Sequence, residues 1–175
     1  FVVHFPSRRG GVGLSETYRS HVATVVREHI DSIFVERPLA KVVVMGDMNA
    51  DMQSPCMAQG LKAKVLKSET VLAEDALYEA QPVTAFHEEV KGTYFFQNEW
   101  EQIDHILVSS SVVQSQTMKV SPEGWSIFDA SFLLDEKHKS ARKWNYPKRT
   151  YLGTSYQKGF SDHLPVVLQM QLFFE

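Results

Sequence analysis

The first third of the chain has a hydrophobic pattern that changes from strand to helix and back to strand. Residues 1–5 form an apolar run that ends at Pro6, which predicts a buried strand. Ser15 is the predicted helix N-cap, with Glu16 in the first turn. From there to Pro38 the spacing is that of an amphipathic helix, with apolar positions at Tyr18, Val22, Val25, Val26, Ile30, Ile33 and Phe34. The continuous apolar run at 42–45 predicts a strand covered on both faces, so this order indicates an α/β unit.

The pattern beyond residue 70 predicts shorter elements. They are a short helix at 71–78, hairpin strands at 93–97 and 102–108 around a turn at Asn98-Glu99, and further strands at 112–120 and 166–174. A long basic loop precedes the last strand, and a long loop within a compact domain is usually functional or disordered. No repeat, linker or low-complexity tract interrupts the sequence, which therefore predicts one domain over residues 1–175.

Composition and charge narrow the class of protein. The chain has 175 residues, of which 43% are hydrophobic and 22% charged, as in an ordinary globular protein. It has one cysteine, so an internal disulfide and a cysteine-rich metal site are excluded. The formal net charge of −3 argues against a dedicated, tight nucleic-acid binder. Between residues 137 and 161 there is no Asp or Glu, and the positive charges are Lys137, Lys139, Arg142, Lys143, Lys148, Arg149 and Lys158.

The first motif with chemical potential is Gly46-Asp47-Met48-Asn49-Ala50-Asp51, directly after the run at 42–45. Ligand-binding groups of α/β sheets cluster where strands end. Gly46 allows a sharp turn, so that Asp47 and Asn49 can face one site. Asp47 can orient a water or accept its proton, and the Asn49 amide can donate to a phosphoryl oxygen. An Asx turn that only closes the strand is an equally good interpretation of this motif alone.

Two further motifs place an Asp beside a His. In Ser161-Asp162-His163, just before the last strand, neighbouring side chains diverge, so one can reach a metal and the other a phosphate. Taken alone, this segment also fits a surface turn. In the apolar strand at 103–108, a carboxylate at Asp104 is costly unless it is paired, and a histidine is its natural partner. The alternative is a half-exposed strand with Asp104 on its wet face.

The three motifs in this order, GDMNAD, IDHILVS and SDHLPVV, resemble the endonuclease/exonuclease/phosphatase family, which includes DNase I. His4 stands where that family carries a histidine at a strand end. The stretches HFPSRRGG and GTYFFQNEW resemble a subgroup of bacterial members, many of them exported. The resemblance covers nearly the whole chain and implies a DNase I-like four-layer α/β/β/α sandwich.

The resemblance also implies roles at the matching positions. Asp47 would orient or deprotonate the attacking water, and Asn49 would hold the phosphate. His163, oriented by Asp104, would stabilise phosphoryl charge, while His4 would donate to the phosphate. Asp162 would contribute to a divalent-metal site. Hard oxygen ligands without clustered thiols favour Mg²⁺ or Mn²⁺, and the expected reaction is hydrolysis of a phosphodiester or phosphomonoester.

The family also has an Asn and a metal-binding Glu on earlier strands, for which this sequence has no segment. We therefore expect an N-terminal part to be missing, with a weak metal site and impaired activity in this chain. The alternative function is a non-catalytic binding module that keeps the fold and lacks the Glu.

Peripheral residues suggest what surrounds the site. Arg8 is expected to clamp a phosphate because it closely follows the strand-end His4, and a solvated Arg8-Arg9 pair on a loop is the alternative. Trp100 is a candidate for the substrate pocket, with a core position as the alternative. His105 is expected to be a surface or structural residue that faces away from Asp104.

The sequence gives weaker indications of the substrate class and of the cellular compartment. A phosphate ester is the expected substrate, with nucleic acid the leading named class. No exposed aromatic hairpin is evident, so we expect no stable membrane association. Removal of a signal peptide would mean a periplasmic or extracellular location, and otherwise the protein is expected in the cytoplasm.

Overall fold

The computed structural model describes residues 1–67, 69–80, 84–85, 88–135 and 146–173. Two helices, α1 (Val12–Glu36) and α2 (Ser110–Val113), accompany one π-helical turn (Cys56–Gly60) and one 3₁₀ turn (Ser131–Leu133). The strands are β1 (Val2–His4), β2 (Val43–Asp47), β3 (Ala63–Leu66), β4 (Leu77–Ala80), β5 (Thr84–Ala85), β6 (Tyr94–Phe96), β7 (Glu99–Glu101), β8 (Asp104–Ser109), β9 (Met118–Ile127), β10 (Leu134–Asp135), β11 (Tyr146–Pro147), β12 (Tyr151–Leu152), β13 (Ser155–Tyr156) and β14 (Val166–Leu172).

A five-stranded sheet in the order β1-β2-β8-β4-β3 forms the centre of the fold. β1 runs parallel to β2, and β8 runs antiparallel to both β2 and β4. In this register His4 lies beside Asp47, and Asp47 lies beside Asp104. Three strands therefore deliver three predicted site residues to the same edge of the sheet.

The two faces of this sheet are covered differently. On one face α1 buries Ala23 and Ile30 against Val44 and Leu107. On the other face a three-stranded sheet, β14-β9-β5, packs against β8 around Trp125. Helix, sheet and sheet are three successive layers of the expected α/β/β/α sandwich, and they agree with the predicted mixed α/β fold.

The helix begins earlier than predicted. Its N-cap is Gly11 rather than Ser15, and the Ser15 hydroxyl donates to the Gly11 carbonyl oxygen (2.8 Å) from inside the first turn. The buried face also differs, because Tyr18 is exposed whereas Arg19 is 1% exposed. Arg19 can be buried since its guanidinium donates to the Ser15 hydroxyl and the Glu16 carboxylate. Because its hydrogen bonds are satisfied, the Arg19 guanidinium can lie on the buried face of α1, which the sequence pattern predicted to be apolar.

Three strand predictions need correction. β1 is an edge strand rather than a buried one, and Val2 is 78% exposed. Coverage of β2 is incomplete, because Met45 is exposed. Residues 71–78 are not helical: the chain is irregular up to residue 76 and then enters β4. Pairing with β3 and β8 decides this segment, since ladder hydrogen bonds outweigh a weak local helix preference.

The predicted hairpin exists with different partners. β6 pairs with β7 around a turn at Gln97-Asn98, where both residues have positive φ. Such a two-residue turn matches the natural strand twist. β8 leaves this hairpin and joins the central sheet. The segment predicted as a strand at 112–120 begins in the last two residues of α2 and enters β9 only at Met118. The last strand is confirmed as β14, and the part of the basic stretch at 136–145 lies outside the described residues.

Candidate active site

Neighbouring strand ends bring two carboxylates and two imidazoles together. His4 Nε2 lies 3.4 Å from Asp47 Oδ2, and the His4 side chain is 75% exposed. Asp104 Oδ2 accepts a hydrogen bond of 2.7 Å from His163 Nδ1. Because Nδ1 is used in this way, Nε2 is the His163 nitrogen left for a substrate.

The segment that carries His163 is anchored to the β6–β7 hairpin. Leu164 donates its backbone N–H to the Thr93 carbonyl oxygen (2.8 Å), and Tyr94 and His163 form a β-bridge. The Tyr94 ring lies 4.8 Å from the imidazole of His163, centroid to centroid. These contacts fix the Asp-His motif in space, so it is not a free surface turn.

The loop after β2 is both an Asx turn and part of the site. Asp47 Oδ1 accepts the backbone N–H of Asn49 (2.8 Å), and Asp47 Oδ2 accepts the Asn49 amide N–H (3.0 Å). The same amide nitrogen donates to the Phe5 carbonyl oxygen (3.1 Å). Since both amide hydrogens are used, Asn49 must give up one contact before it can donate to a phosphate.

Gly46 is required for a reason other than a turn. It lies within β2 opposite Val3 at φ +139°, and an added Cβ would overlap the Val3 carbonyl oxygen. The close approach of β1 therefore demands glycine here.

A cavity of about 770 Å³ opens over these groups. Arg8 lines it and is held on two sides: Nε donates to the Asn49 carbonyl oxygen (2.8 Å), and Nη1 forms an ion pair with Glu101 (2.9 Å). Tyr94 and Phe96 line the cavity from β6, with their rings stacked 6.1 Å apart. The cavity thus combines cations, carboxylates and an aromatic wall, and sequence reasoning missed Glu101, Tyr94 and Phe96.

Electrostatics distinguish Asp47 from His163. Burial raises the pKa of Asp47, the Asn49 backbone N–H lowers it, and the nearby Asp104 carboxylate raises it again, so the net direction is upward. Burial lowers the pKa of His163, but its hydrogen bond to Asp104 and the charges of Asp104 and Asp47 raise it above the ordinary value. Asp47 is therefore a stronger base than a solvated carboxylate, and His163 is held toward its cationic form.

One ligand atom from each of Asp47, Asp104 and His163 lies within 4.8 Å of the others, a spacing that suits a metal ion. An imidazole binds a metal only in its neutral form, so the two carboxylates are the available ligands while His163 is cationic. Asp162, the predicted ligand, is exposed and lines the cavity, but it lies outside this group of three. Its metal-binding role stays a prediction.

Trp100 does not line the cavity. Side chains alternate along β7, so Glu101 faces Arg8 while Trp100 points to the other side. There it packs on the cluster that contains Leu164, with the Phe95 ring 5.2 Å away. The core alternative for Trp100 is therefore the correct one.

His105 faces away from Asp104, as predicted, and is 1% exposed. Its Nδ1 lies 3.0 Å from Glu79 Oε1, and its Nε2 lies 2.8 Å from the Ala50 carbonyl oxygen. Burial lowers the pKa of His105, but the hydrogen bond and charge of Glu79 raise it more, so the net direction is upward. No sequence signal pointed to Glu79, which directly follows the segment at 71–78 that was predicted to be helical.

The described end of the basic stretch adds exposed aromatic residues. β12 and β13 form a hairpin on which Tyr151, Leu152 and Tyr156 are each about 60% exposed. The sequence pattern did not reveal this exposed hairpin, because the alternation over so short a segment is too weak to recognise. The absence of stable membrane association stays a prediction. Among the described residues no helix is long and apolar enough to cross a membrane.

Comparison with known proteins identifies the family. The model of the endonuclease/exonuclease/phosphatase family matches residues 1–172, so the chain belongs to that family. Comparison with curated proteins gave no significant match. The family supports a phosphoesterase-type function.

Solved structures show the same fold at low identity. A doubly substituted beta toxin from Staphylococcus aureus, with bound magnesium ions, is 16% identical with a TM-score of 0.53, covering 94% of this chain and 50% of the toxin. Sphingomyelinase C from Streptomyces griseocarneus is 16% identical with a TM-score of 0.52, covering 95% of this chain and 50% of that enzyme. These likenesses establish the DNase I-like fold, and the chain spans about half the length of the structures it matches.

Proposed function

We propose that this chain carries the active site of a metal-dependent phosphoester hydrolase. The observation that carries the proposal is the convergence of Asp47, Asp104 and His163 below a cavity that also holds Arg8. Acidic ligands and basic donors in one cavity suit the hydrolysis of a phosphate ester. Hydrolysis needs an activated water, and the negative charge on the phosphoryl oxygens must be stabilised.

Each residue has a role that its contacts allow. Asp47 orients the attacking water and takes its proton, and its raised pKa makes it better suited to this than a solvated carboxylate. His163, oriented by Asp104, donates through Nε2 to a phosphoryl oxygen. His4 and Asn49 contact the phosphate from the β1 side, and Arg8 holds the Asn49 carbonyl.

The donor set fits a hard divalent cation. Mg²⁺ is commonly bound through one or two carboxylates together with waters and substrate phosphate, and Asp47 and Asp104 supply that number. Mn²⁺ accepts the same ligands, and Asp162 is close enough to the cavity to add a third carboxylate. When bound, such an ion supplies electrostatic stabilisation of the charge that develops on the phosphoryl oxygens.

The test compares two isosteric changes on one loop. Asp47→Asn is expected to lower the rate of phosphodiester hydrolysis by about 10²-fold or more, because the base is lost. Asp51→Asn is the matched control: Asp51 is exposed, lies outside the candidate ligand group, and also accepts the backbone N–H two residues later (2.9 Å). A rate for Asp47→Asn within about tenfold of the Asp51→Asn rate would exclude the proposed role.

Substrates are separated by a panel with Mg²⁺ or Mn²⁺: plasmid DNA, an abasic duplex, inositol phosphates, sphingomyelin and a chromogenic diester. We place nucleic acid first because Tyr94 and Phe96 offer stacking surfaces beside Arg8. Lipid phosphodiesters come second, because one neighbour of the fold is named as a sphingomyelinase.

A non-catalytic binding module is the competing function. Among the described residues no Glu joins the candidate ligands, so we expect weak metal binding and low activity from this chain alone. Calorimetry with Mn²⁺ and phosphate, run beside the hydrolysis panel, separates the two functions. Phosphate binding without turnover at saturating metal would favour the module.

A further inference from the structure

A buried acid–base pair lies directly behind the candidate active site. Glu79 on β4 is 0% exposed and His105 on β8 is 1% exposed, and Glu79 Oε1 lies 3.0 Å from His105 Nδ1. The second carboxylate oxygen, Oε2, is buried without a hydrogen-bond partner among the described residues. A buried pair of this kind seldom stabilises a fold more than apolar residues of similar size would. Its geometric effect is therefore of more interest than its contribution to stability.

The other nitrogen of His105 fixes the loop that carries Asp47. A carbonyl oxygen can only accept, so the 2.8 Å contact with the Ala50 carbonyl requires a hydrogen on Nε2. Nδ1 and Glu79 then share one proton, and the hydrogen bond persists whichever of them carries it. Glu79 thereby fixes the ring orientation that directs Nε2–H at Ala50.

Two consecutive carbonyls of this loop are held from two directions. Arg8 Nε donates to the Asn49 carbonyl (2.8 Å), and His105 Nε2 donates to the Ala50 carbonyl (2.8 Å). Directly before these two carbonyls, Asn49 has a φ of +48°, a left-handed conformation that costs most residues about 1–2 kcal/mol. Asn49 in turn supplies both hydrogen bonds to the Asp47 carboxylate.

We propose that His105, oriented by Glu79, is a positioning residue that holds the 47–51 loop in its left-handed turn and so aims Asp47 and Asn49 at the substrate. The inference rests on the proposed function, because the groups it aims belong to that site. The proposal assigns a role to His105, which lies on the face of β8 opposite Asp104 and is not among the residues that line the cavity.

Two amide substitutions at the same position separate positioning from packing. Glutamine places its terminal amide near the site of His Nε2 and can still donate to the Ala50 carbonyl. Asparagine places its amide near the site of Nδ1, where it reaches Glu79 but not Ala50. Both are built on Glu79→Gln, which removes the buried charge while its amide can still donate to Nδ1 of a neutral His105.

Kinetics and hydrogen exchange are measured on Glu79→Gln alone and on the double variants with His105→Gln and His105→Asn. We expect Glu79→Gln alone and its double variant with His105→Gln to keep kcat within about threefold of the wild-type value. The double variant with His105→Asn should lose about tenfold or more in kcat with little change in KM, because small misplacements of catalytic groups lower kcat strongly. The backbone amide hydrogen of Asn49 should exchange with solvent faster only in the double variant with His105→Asn, while the backbone amide hydrogen of Leu107 in β8 stays protected.

Equal kcat and equal Asn49 exchange in the Gln and Asn double variants would overturn the proposal, whether both are impaired or both are normal. Loss of Asn49 protection in Glu79→Gln alone would also overturn it, because that variant keeps the hydrogen bonds. If the wild-type protein hydrolyses none of the substrates, the proposed function fails, and the exchange data still decide whether His105 holds the loop.

Discussion

The contact between β1 and β2 gives a sharp quantitative prediction at Gly46. In Gly46→Ala the new Cβ would overlap the Val3 carbonyl oxygen and stand 2.9 Å from the Val3 carbonyl carbon. Because both are backbone atoms, no side-chain rotation relieves the overlap, and β1 must move away from β2. The φ of +139° adds conformational strain for any residue with a Cβ.

The cost follows from what β1 loses. Backbone strain at such a φ costs about 1–3 kcal/mol. Displacement of β1 also breaks the bonds from Phe5 N–H to the Asp47 carbonyl (2.8 Å) and from Met45 N–H to the Phe1 carbonyl (3.0 Å). At about 1 kcal/mol for each bond, we expect a total loss of about 3–5 kcal/mol in the free energy of unfolding.

Gly153→Ala is the matched control. Gly153 also has a positive φ, +59°, but an added Cβ would meet nothing within 4 Å. Only the strain term remains, so we expect a loss of about 1–2 kcal/mol.

Urea unfolding followed by tryptophan fluorescence measures both variants by linear extrapolation. Trp125, 3% exposed between the two sheets, is a suitable reporter. If Gly46→Ala were no more than about 0.5 kcal/mol less stable than Gly153→Ala, which is the usual range for mild surface changes, the close approach of β1 would be refuted.

Three further predictions concern single side chains. Cys56 is buried, and burial followed by the Glu16 charge raises the pKa of its thiol to about 12. Ellman's reagent at pH 8 should therefore react with it more than about 100-fold faster in urea than in buffer, and comparable rates would contradict this. Trp100→Phe should change stability by less than about 1 kcal/mol, because its buried Nε1 has no partner among the described residues, whereas Trp125→Phe loses the 3.0 Å bond to the Ile106 carbonyl and should cost about 1–3 kcal/mol more. The Asp104 carboxylate raises the pKa of His163, so Asp104→Asn should lower that pKa. An NMR titration of His163 in the presence of EDTA measures the change, and an unchanged pKa would rule out the Asp104–His163 pair.

The candidate site residues could be named only from the motifs taken together. GDMNAD and SDHLP each fitted a plain turn when taken alone, and Asp47 and His163 were named because the three motifs in their order resemble one family. The orientation of Asp104 away from His105 followed from side-chain alternation along one strand. Trp100 was a candidate for the substrate pocket because side-chain alternation divides the residues of a strand between two faces. Alternation alone does not indicate which of the two faces lines the cavity.

The elements of the fold were predictable where a hydrophobic pattern repeats over many residues. The helix that became α1 and the final strand β14 extend over enough residues for their patterns to be recognised, although the predicted N-cap of α1 was wrong by four positions. The segment that became β4 was wrong because its conformation depends on β3 and β8, which are distant in sequence.

The sequence by itself determined which chemical groups are available and the order in which strands deliver them. Only the tertiary structure decided that His4, Asp47 and Asp104 share one level of the sheet, because strand register depends on pairing between segments far apart in the chain. The tertiary structure also decided that Glu79 and His105 meet behind the 47–51 loop. Burial and hydrogen-bond partners are properties of the packed sheet, and a local sequence pattern has no means of encoding them.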